Sequence, residues 1–395
     1  MTYYDDLETR SADARAAAQL EALRAQLSRT RSQPDNCLPE VELGDLSDLA
    51  KLPVLRKSQL SEWQAAVPPF GGMFVGDVAH VFQSPGPIYE PGGVGHDWWR
   101  MGRFLHACGI GKGDTVQNCF GYHLTPAGMI FENGARAVGA RVLPAGVGQT
   151  DLQVRAARDV GTTAYAGTPD YLKVILDRAD EMGMPLSITR AAVGGGALFP
   201  SLRTEYAERG ITCLQCYATA DLGNVAYESE AMEGMILDEG VIVEIVRPGT
   251  GTPVAEGEVG EVVVTALNPD YPLIRFATGD LSAILPGVSP CGRTNTRIKG
   301  WMGRADQTAK IKGMFVRPEQ VADLVARHPE IRAARVTVTR EGEMDAMDVA
   351  IEADGGDEAA WAASVAACLK LKGRVARVDS LPNDGKVIDD QRVYD

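Results

Sequence analysis

From position 78 onward, short apolar runs alternate with longer segments whose apolar residues recur every three or four positions. The runs 115–120, 140–145, 162–167 and 190–195 are nearly continuous in apolar character. Such runs predict strands buried on both faces. The segments 98–109, 129–139 and 170–183 carry helical periodicity. Strand and helix in alternation predict a parallel sheet covered by helices. Ahead of this part, residues 7–30 and 57–66 read as helices. Residues 31–45 read as a loop, because Pro34, Asn36, Pro39 and Gly44 interrupt any periodicity.

The pattern changes at 236–266. Residues 240–246 and 261–267 alternate like antiparallel strands around the turn-rich stretch 249–260. Beyond Gly303 come a helix over 318–328, strands over 335–340 and 347–353, and a helix over 357–371. The expected fold is therefore α/β. A large N-terminal domain (1–302) carries mixed and parallel sheets covered by helices plus a small β unit, and a small α+β C-terminal cap domain covers 303–395. The expected hinge lies between Ile298 and Asp306.

Composition narrows the function. A chain of 395 residues with 45% hydrophobic content can build two or three cores. The net charge of −14 argues against nucleic acid or an anionic membrane surface as partner. It leaves room for a phosphate-bearing cofactor, because backbone N–H groups and local cations can hold phosphate in an acidic protein. The seven cysteines are odd in number and scattered (Cys37, Cys108, Cys119, Cys213, Cys216, Cys291 and Cys368), the first ten residues are polar, and no window reaches 18 apolar residues. Free thiols in the reducing cytoplasm are expected. Cys213 and Cys216 form the only C-x-x-C pair and read as small residues of a buried strand. Trp98 and Trp99 read as the first turn of a helix, packing into the core or a dimer contact.

Three ordered segments carry candidate chemistry. The first is 271–280, Tyr-Pro-Leu-Ile-Arg-Phe-Ala-Thr-Gly-Asp, which alone would pass for a common strand-end turn. The second is Gly303-Arg304-Ala305-Asp306, running on to Lys310-Ile311-Lys312-Gly313 and preceded by Cys291-Gly292-Arg293-Thr294. The third is Leu381-Pro382-Asn383-Asp384-Gly385-Lys386. Together they resemble the adenylate-forming acid–CoA ligases, closest to the phenylacetate–CoA ligase branch. Weaker agreement comes from Val193-Gly194-Gly195-Gly196-Ala197-Leu198, from Cys216-Tyr217-Ala218-Thr219-Ala220-Asp221, from Leu49-Ala50-Lys51-Leu52-Pro53 with Lys57 and Leu60, and from the segment Phe120 to Gly128, and the resemblance spans nearly the whole chain.

The resemblance implies roles. Asp280 accepts hydrogen bonds from the ribose hydroxyls, and Arg304 reaches the ribose and phosphate side. Asp306 is the pivot between domains, and Gly313 lines the pantetheine path. Gly194, Gly195, Gly196 and Ala197 border the adenine. Cys216, Tyr217, Ala218 and Thr219 lie beside it, with Tyr217 stacking and Thr219 standing in for a hydroxyl lost at Ala220. Asp221 helps hold Mg²⁺. Tyr122, His123 and Gly128 face the acyl group, although His123 reads equally as a hydrogen-bonded core residue. Lys386 is the catalytic cation: a compact ammonium bridging carboxylate and α-phosphate lowers the barrier between two anions. The implied ligands are ATP or AMP, Mg²⁺, coenzyme A and a small-molecule carboxylic acid, aromatic or arylacetic, and the expected assembly is a homodimer.

One segment departs from the pattern. The phosphate loop of such ligases, S-S-G-T-T-G-K-P, corresponds here to Ser84-Pro85-Gly86-Pro87-Ile88-Tyr89-Glu90-Pro91. Prolines remove N–H donors and Glu90 stands near the place of a cation. Alongside ATP-dependent CoA ligation, two readings stay open: adenylation with delivery to another nucleophile, and a non-catalytic relative that binds nucleotide or acyl-CoA.

Overall fold

The structure is a computed structural model that describes residues 3–31, 38–73, 76, 78–305, 307–311, 314–341 and 344–392. Cys37, Asp306, Lys312 and Gly313 lie outside the described residues. The chain divides into two compact units. One comprises Met1–Val243, Val264–Phe276 and Leu285–Gly300, and the other Glu244–Val263, Ala277–Ile284 and Trp301–Asp395.

The first unit is built on parallel strands in the spatial order Arg141–Pro144, Thr115–Asn118, Ala164–Gly167, Arg190–Val193 and Thr212–Thr219. Ala164, Tyr165 and Ala166 are wholly shut off from solvent, which is why this run reads as apolar without alternation. Helices Met101–Ala107, Ala127–Ala137, Thr150–Asp159, Pro169–Glu181 and Pro200–Glu208 alternate with the strands. Pro169 and Pro200 open their helices where a missing N–H goes unnoticed. Beyond Thr212–Thr219 the sheet turns antiparallel through Gly223–Tyr227 and Met235–Leu237. Its main core gathers Phe104, Leu105, Phe120, Phe131, Val116 and Trp99.

The N-terminal helix runs Ala12–Arg31, later than the sequence reading, because Asp5 caps a short 3₁₀ turn over Asp6–Thr9 first. The helix Lys57–Ala66 falls as expected. Trp98 and Trp99 are not in a helix: Arg100 adopts a left-handed conformation and the helix starts at Met101. Trp99 packs edge-on against both Trp98 and Phe82. Cys213 and Cys216 are buried free thiols on one strand, and the other described cysteines are also free.

In the second unit the four-stranded sheet has the order Arg374–Val378, Met344–Ala353, Ile331–Glu341 and Ile388–Asp390, with only the central pair antiparallel. Helices Pro318–Ala326 and Glu358–Leu369 supply Leu324, Trp361, Val365 and Leu369 to the core formed with Val336, Val338, Val349 and Ile351. Each such fully buried aliphatic chain contributes about 1.5–3 kcal/mol. The strands Val241–Val246, Gly260–Ala266 and Phe276–Ser282 are neighbours in one sheet. No helix among the described residues is long and apolar enough to cross a membrane.

Candidate functional site

In the first unit, the candidate residues gather where the parallel strands end. Gly194 follows the strand Arg190–Val193 and lies against its neighbour: a Cβ there would stand 3.0 Å from Cys216 Sγ. Gly195 takes a left-handed φ of +68°, and a Cβ on it would sit 3.7 Å from the Phe120 ring. Phe120 stacks on Phe131 with ring centroids 4.2 Å apart. The segment from Phe120 to Gly128 is thereby brought beside the glycines 194–196, two regions some 70 residues apart in sequence. Gly195, Gly196 and Ala197 are exposed, whereas Cys216 and Tyr217 are buried.

Gly128 is needed for close approach. A side chain would meet the Gly121 carbonyl at 2.7 Å and the Tyr122 ring at 2.9 Å. Asn118 completes this corner by donating to the Tyr122 hydroxyl (2.7 Å) and the Gly128 carbonyl (2.8 Å). Burial, reinforced by Glu132, pushes the Tyr122 phenol up, so it stays a neutral hydrogen-bonding group. His123 is exposed, which excludes the core reading. The Thr219 hydroxyl accepts from the Leu222 N–H (3.1 Å) and so already caps the turn leading to Asp221.

A second cluster of the same unit surrounds Asp221. Lys57, at the start of its helix, places Nζ 3.0 Å from Asp221 Oδ2. Asp221 Oδ1, both Glu90 carboxyl oxygens and the Tyr271 hydroxyl are buried and find no hydrogen-bond partner among the described residues. Burial, then the Asp221 charge, pushes the Glu90 carboxyl up to about 7; Lys57 pulls the other way. Ser84 tempers the shift from nearby without reaching hydrogen-bonding geometry. Burial followed by Asp221 and Glu90 likewise raises the Tyr271 phenol.

Glu90 lies in a tight hairpin, His80–Ser84 paired with Ile88–Gly92. The Tyr89 N–H is taken by Gln64 Oε1 (2.8 Å) and the Gln83 N–H by the Leu124 carbonyl (2.9 Å). These donors are spent within the protein, unlike those of a loop shaped for phosphate.

The remaining described candidates belong to the second unit. Asp280 lies inside the strand Phe276–Ser282 rather than in a turn at its end. Its Oδ1 accepts from Arg304 Nη1 (2.9 Å) and Trp301 Nε1 (3.0 Å). Gly279 adopts φ +73°, and a Cβ there would come within 2.8 Å of Arg304 Nη2. Gly279→Ala should lower the unfolding free energy by about 1–2 kcal/mol, the cost of a Cβ in left-handed backbone, as read by urea denaturation.

Lys386 sits on an anchored loop. Asn383 Oδ1 accepts from the Val259 N–H (3.0 Å), and Asp384 Oδ1 accepts from the Lys386 N–H (3.0 Å). Gln307 donates to the Gly385 carbonyl and accepts from the N–H groups of Val387 and Ile388. A Cβ at Gly385, φ +70°, would stand 2.6 Å from Val259. The backbone is thus fixed, while the half-exposed Lys386 ammonium is held by Asp389 Oδ1 at 2.7 Å. Burial opposes ionisation of Asp389, but hydrogen bonds from Lys386, Gln391 and Arg335 prevail and bring its carboxyl down to about 2. Arg304, Gln307, Asp384, Lys386 and Asp389 line one cavity of about 260 Å³.

Sequence reasoning missed Trp301, Gln307 and Asp389 as partners of the candidates. The last two follow Arg304 and Lys386 by three residues, but that spacing in loops carries no signal. It also missed that Glu90, Asp221 and Tyr271 act on one another's charge, since they are widely separated in the chain.

No family model matches the chain. Among proteins of assigned function, it is similar to the phenylacetate–coenzyme A ligase of Aromatoleum evansii, with 30% identity over 330 residues, 79% of this chain and 73% of that one. Its likeness to the ligase of the same name from Pseudomonas putida is 29% over 376 residues, covering 88% and 84%. Among solved structures, the open conformation of 2-hydroxyisobutyryl-CoA ligase in complex with 2-HIB-AMP and CoA aligns over 97% of this chain and 93% of that one, with a TM-score of 0.68 and 22% identity.

Proposed function

The chain belongs to the phenylacetate–CoA ligase family, and on that premise we propose that it joins a small aromatic or arylacetic acid to coenzyme A at the expense of ATP, through an acyl-adenylate. The observation that carries this reading is the Lys386 loop. Its backbone is pinned by Gln307, Asn383 and Asp384, and its ammonium reaches the same cavity as Arg304, itself paired with Asp280.

In the first half-reaction the acid's carboxylate oxygen attacks the α-phosphorus of ATP and pyrophosphate leaves. Lys386 exchanges Asp389 for the reacting oxygens, and its positive charge offsets the repulsion between carboxylate and phosphate. Asp280 accepts from the ribose hydroxyls and keeps Arg304 oriented towards the phosphate side. Glycines 194–196 allow the adenine close to the backbone, with Tyr217 beside it. Tyr122 and Gly128 border the acyl group, and no ammonium or guanidinium in that segment calls for a charged substituent on it. The unpartnered Asp221 oxygen fits a hard cation; Mg²⁺ held there would supply charge neutralisation for the leaving pyrophosphate.

In the second half-reaction the thiolate of coenzyme A attacks the acyl carbon and AMP departs. Turning of residues 303–395 about Asp306 would bring the Gly313 region to the thiol path. The altered loop at 84–91 offers few donors to pyrophosphate, so weak ATP binding is part of the proposal. A homodimer in the cytoplasm completes it.

The test is a panel of aryl acids assayed for AMP and acyl-CoA. Equimolar AMP and thioester with at least one acid is expected. Acyl-AMP formed without any use of CoA would instead assign the acyl group to another nucleophile. Nucleotide binding without AMP release from any acid would leave a non-catalytic binding protein.

A further inference from the structure

We propose that Glu90 serves, together with Asp221, as a carboxylate ligand for a divalent cation, which restores at the loop 84–91 the positive charge that its sequence lacks. The proposal deepens the ligase reading for the nucleotide it would serve, but binding of the cation itself does not depend on that reading.

Glu90 is 1% exposed and Asp221 7%. Two carboxylates shut away from water need compensation, because a buried anion without a partner costs several kcal/mol even after relaxation. Lys57 pairs directly with only one of them, through Asp221 Oδ2, and acts on Glu90 from a distance, as Ser84 does. Among the described residues that leaves Asp221 Oδ1 and both Glu90 oxygens without a hydrogen bond, and with them the Tyr271 hydroxyl, 2% exposed, whose neighbour Gln64 does not reach hydrogen-bonding geometry. The four atoms belong to three separate segments and feel one another electrostatically: the Asp221 charge acts on Glu90, and both act on Tyr271. Apolar surroundings leave such buried polar atoms unsatisfied, whereas a cation would satisfy the oxygens together.

The donor set indicates which cation. All the donors are hard oxygens, which suits Mg²⁺ or Mn²⁺ rather than zinc. Among the described residues no group of three or more His, Cys, Asp or Glu side chains could hold a metal. The site is therefore not a closed structural centre. Two carboxylates leave most of a six-fold shell to water and to an incoming phosphate, the usual way Mg²⁺ is held beside nucleotides. On this account Glu90 recruits the cation that offsets its own charge towards phosphate.

The experiment uses the full chain without nucleotide and Mn²⁺ as the probe. Free Mn²⁺ is followed by its electron paramagnetic resonance signal during titration. The wild type should bind one Mn²⁺, and both Glu90→Gln and Asp221→Asn should weaken binding at least ten-fold. Circular dichroism and melting curves verify that each variant is folded, and Glu90→Gln keeps the shape of the side chain. Undiminished affinity in Glu90→Gln would overturn the proposal, since the cation would then rest on Asp221 without Glu90. So would a wild type that binds no Mn²⁺, either alone or with a non-hydrolysable ATP analogue. Mn²⁺ binding through both carboxylates in a protein that releases no AMP would sustain this site while removing the ligase reading.

Discussion

Lys386→Met should slow acyl-adenylate formation by roughly 10²–10³-fold, the penalty for removing one preorganised charge from a developing anionic centre. The substitution keeps most of the chain's length and apolar stem and deletes the charge. The loop should survive it, because Gln307, Asn383 and the Asp384 side chain hold its backbone, and the ammonium's ion pair among the described residues is with Asp389. The effect should appear in kcat, with the KM for ATP changed far less, because the charge acts most strongly where the two anions meet. Thioester formation from supplied acyl-adenylate and CoA should be nearly unchanged, since that step no longer joins carboxylate to phosphate. Single-turnover kinetics of the two half-reactions separate these outcomes. Equal slowing of both would assign Lys386 to binding rather than to adenylation.

The second large effect concerns stability. The folded Glu90 carboxyl titrates near 7, above the ordinary 4.5, because burial and Asp221 disfavour its charged form. A raised value means the folded protein holds this proton more tightly than the unfolded chain does. The associated stability is fully present below pH 4.5 and is lost as pH rises through about 7. The loss amounts to about 3 kcal/mol, at 1.36 kcal/mol per unit. Glu90→Gln cannot ionise and should escape it. Urea unfolding at pH 5 and pH 8, in buffer containing a chelator, should show a smaller difference for the variant than for the wild type by about that amount. An unchanged difference would mean that Glu90 is ionised and compensated in the folded protein.

Much of the fold was legible because its determinants are local. The runs 115–120, 162–167 and 190–195 lie on interior strands, where burial on both faces writes itself as uninterrupted apolar sequence. The helices 57–66 and 318–326 were equally clear, each beginning where the chain leaves an extended residue. The start at Met101 was not, because a left-handed Arg100 has no compositional signature. Asp280 illustrates a subtler failure. Thr-Gly-Asp looks like a turn, yet Gly279 takes its positive φ within a continuing strand and so opens room for Arg304.

The candidate residues were readable only as separate motifs. What the sequence could not convey is which side chains neutralise one another. Lys386 meets Asp389, Asp280 meets Arg304 and Trp301, and Lys57 reaches across 164 positions to Asp221. Glu90 showed the limit most sharply. From sequence it was a charge of the wrong sign for phosphate, and only its burial beside Asp221 and Tyr271 makes it a candidate ligand.

Acid-dependent exchange of labelled pyrophosphate into ATP tests the adenylation chemistry most directly, because it requires an acyl-adenylate to form and revert and needs no acceptor. With Mg²⁺ and an arylacetic acid, the wild type should incorporate label only when the acid is present, and Lys386→Met should fall by the factor given above. Absence of exchange with every aryl acid, in a protein that still binds AMP, would contradict the account.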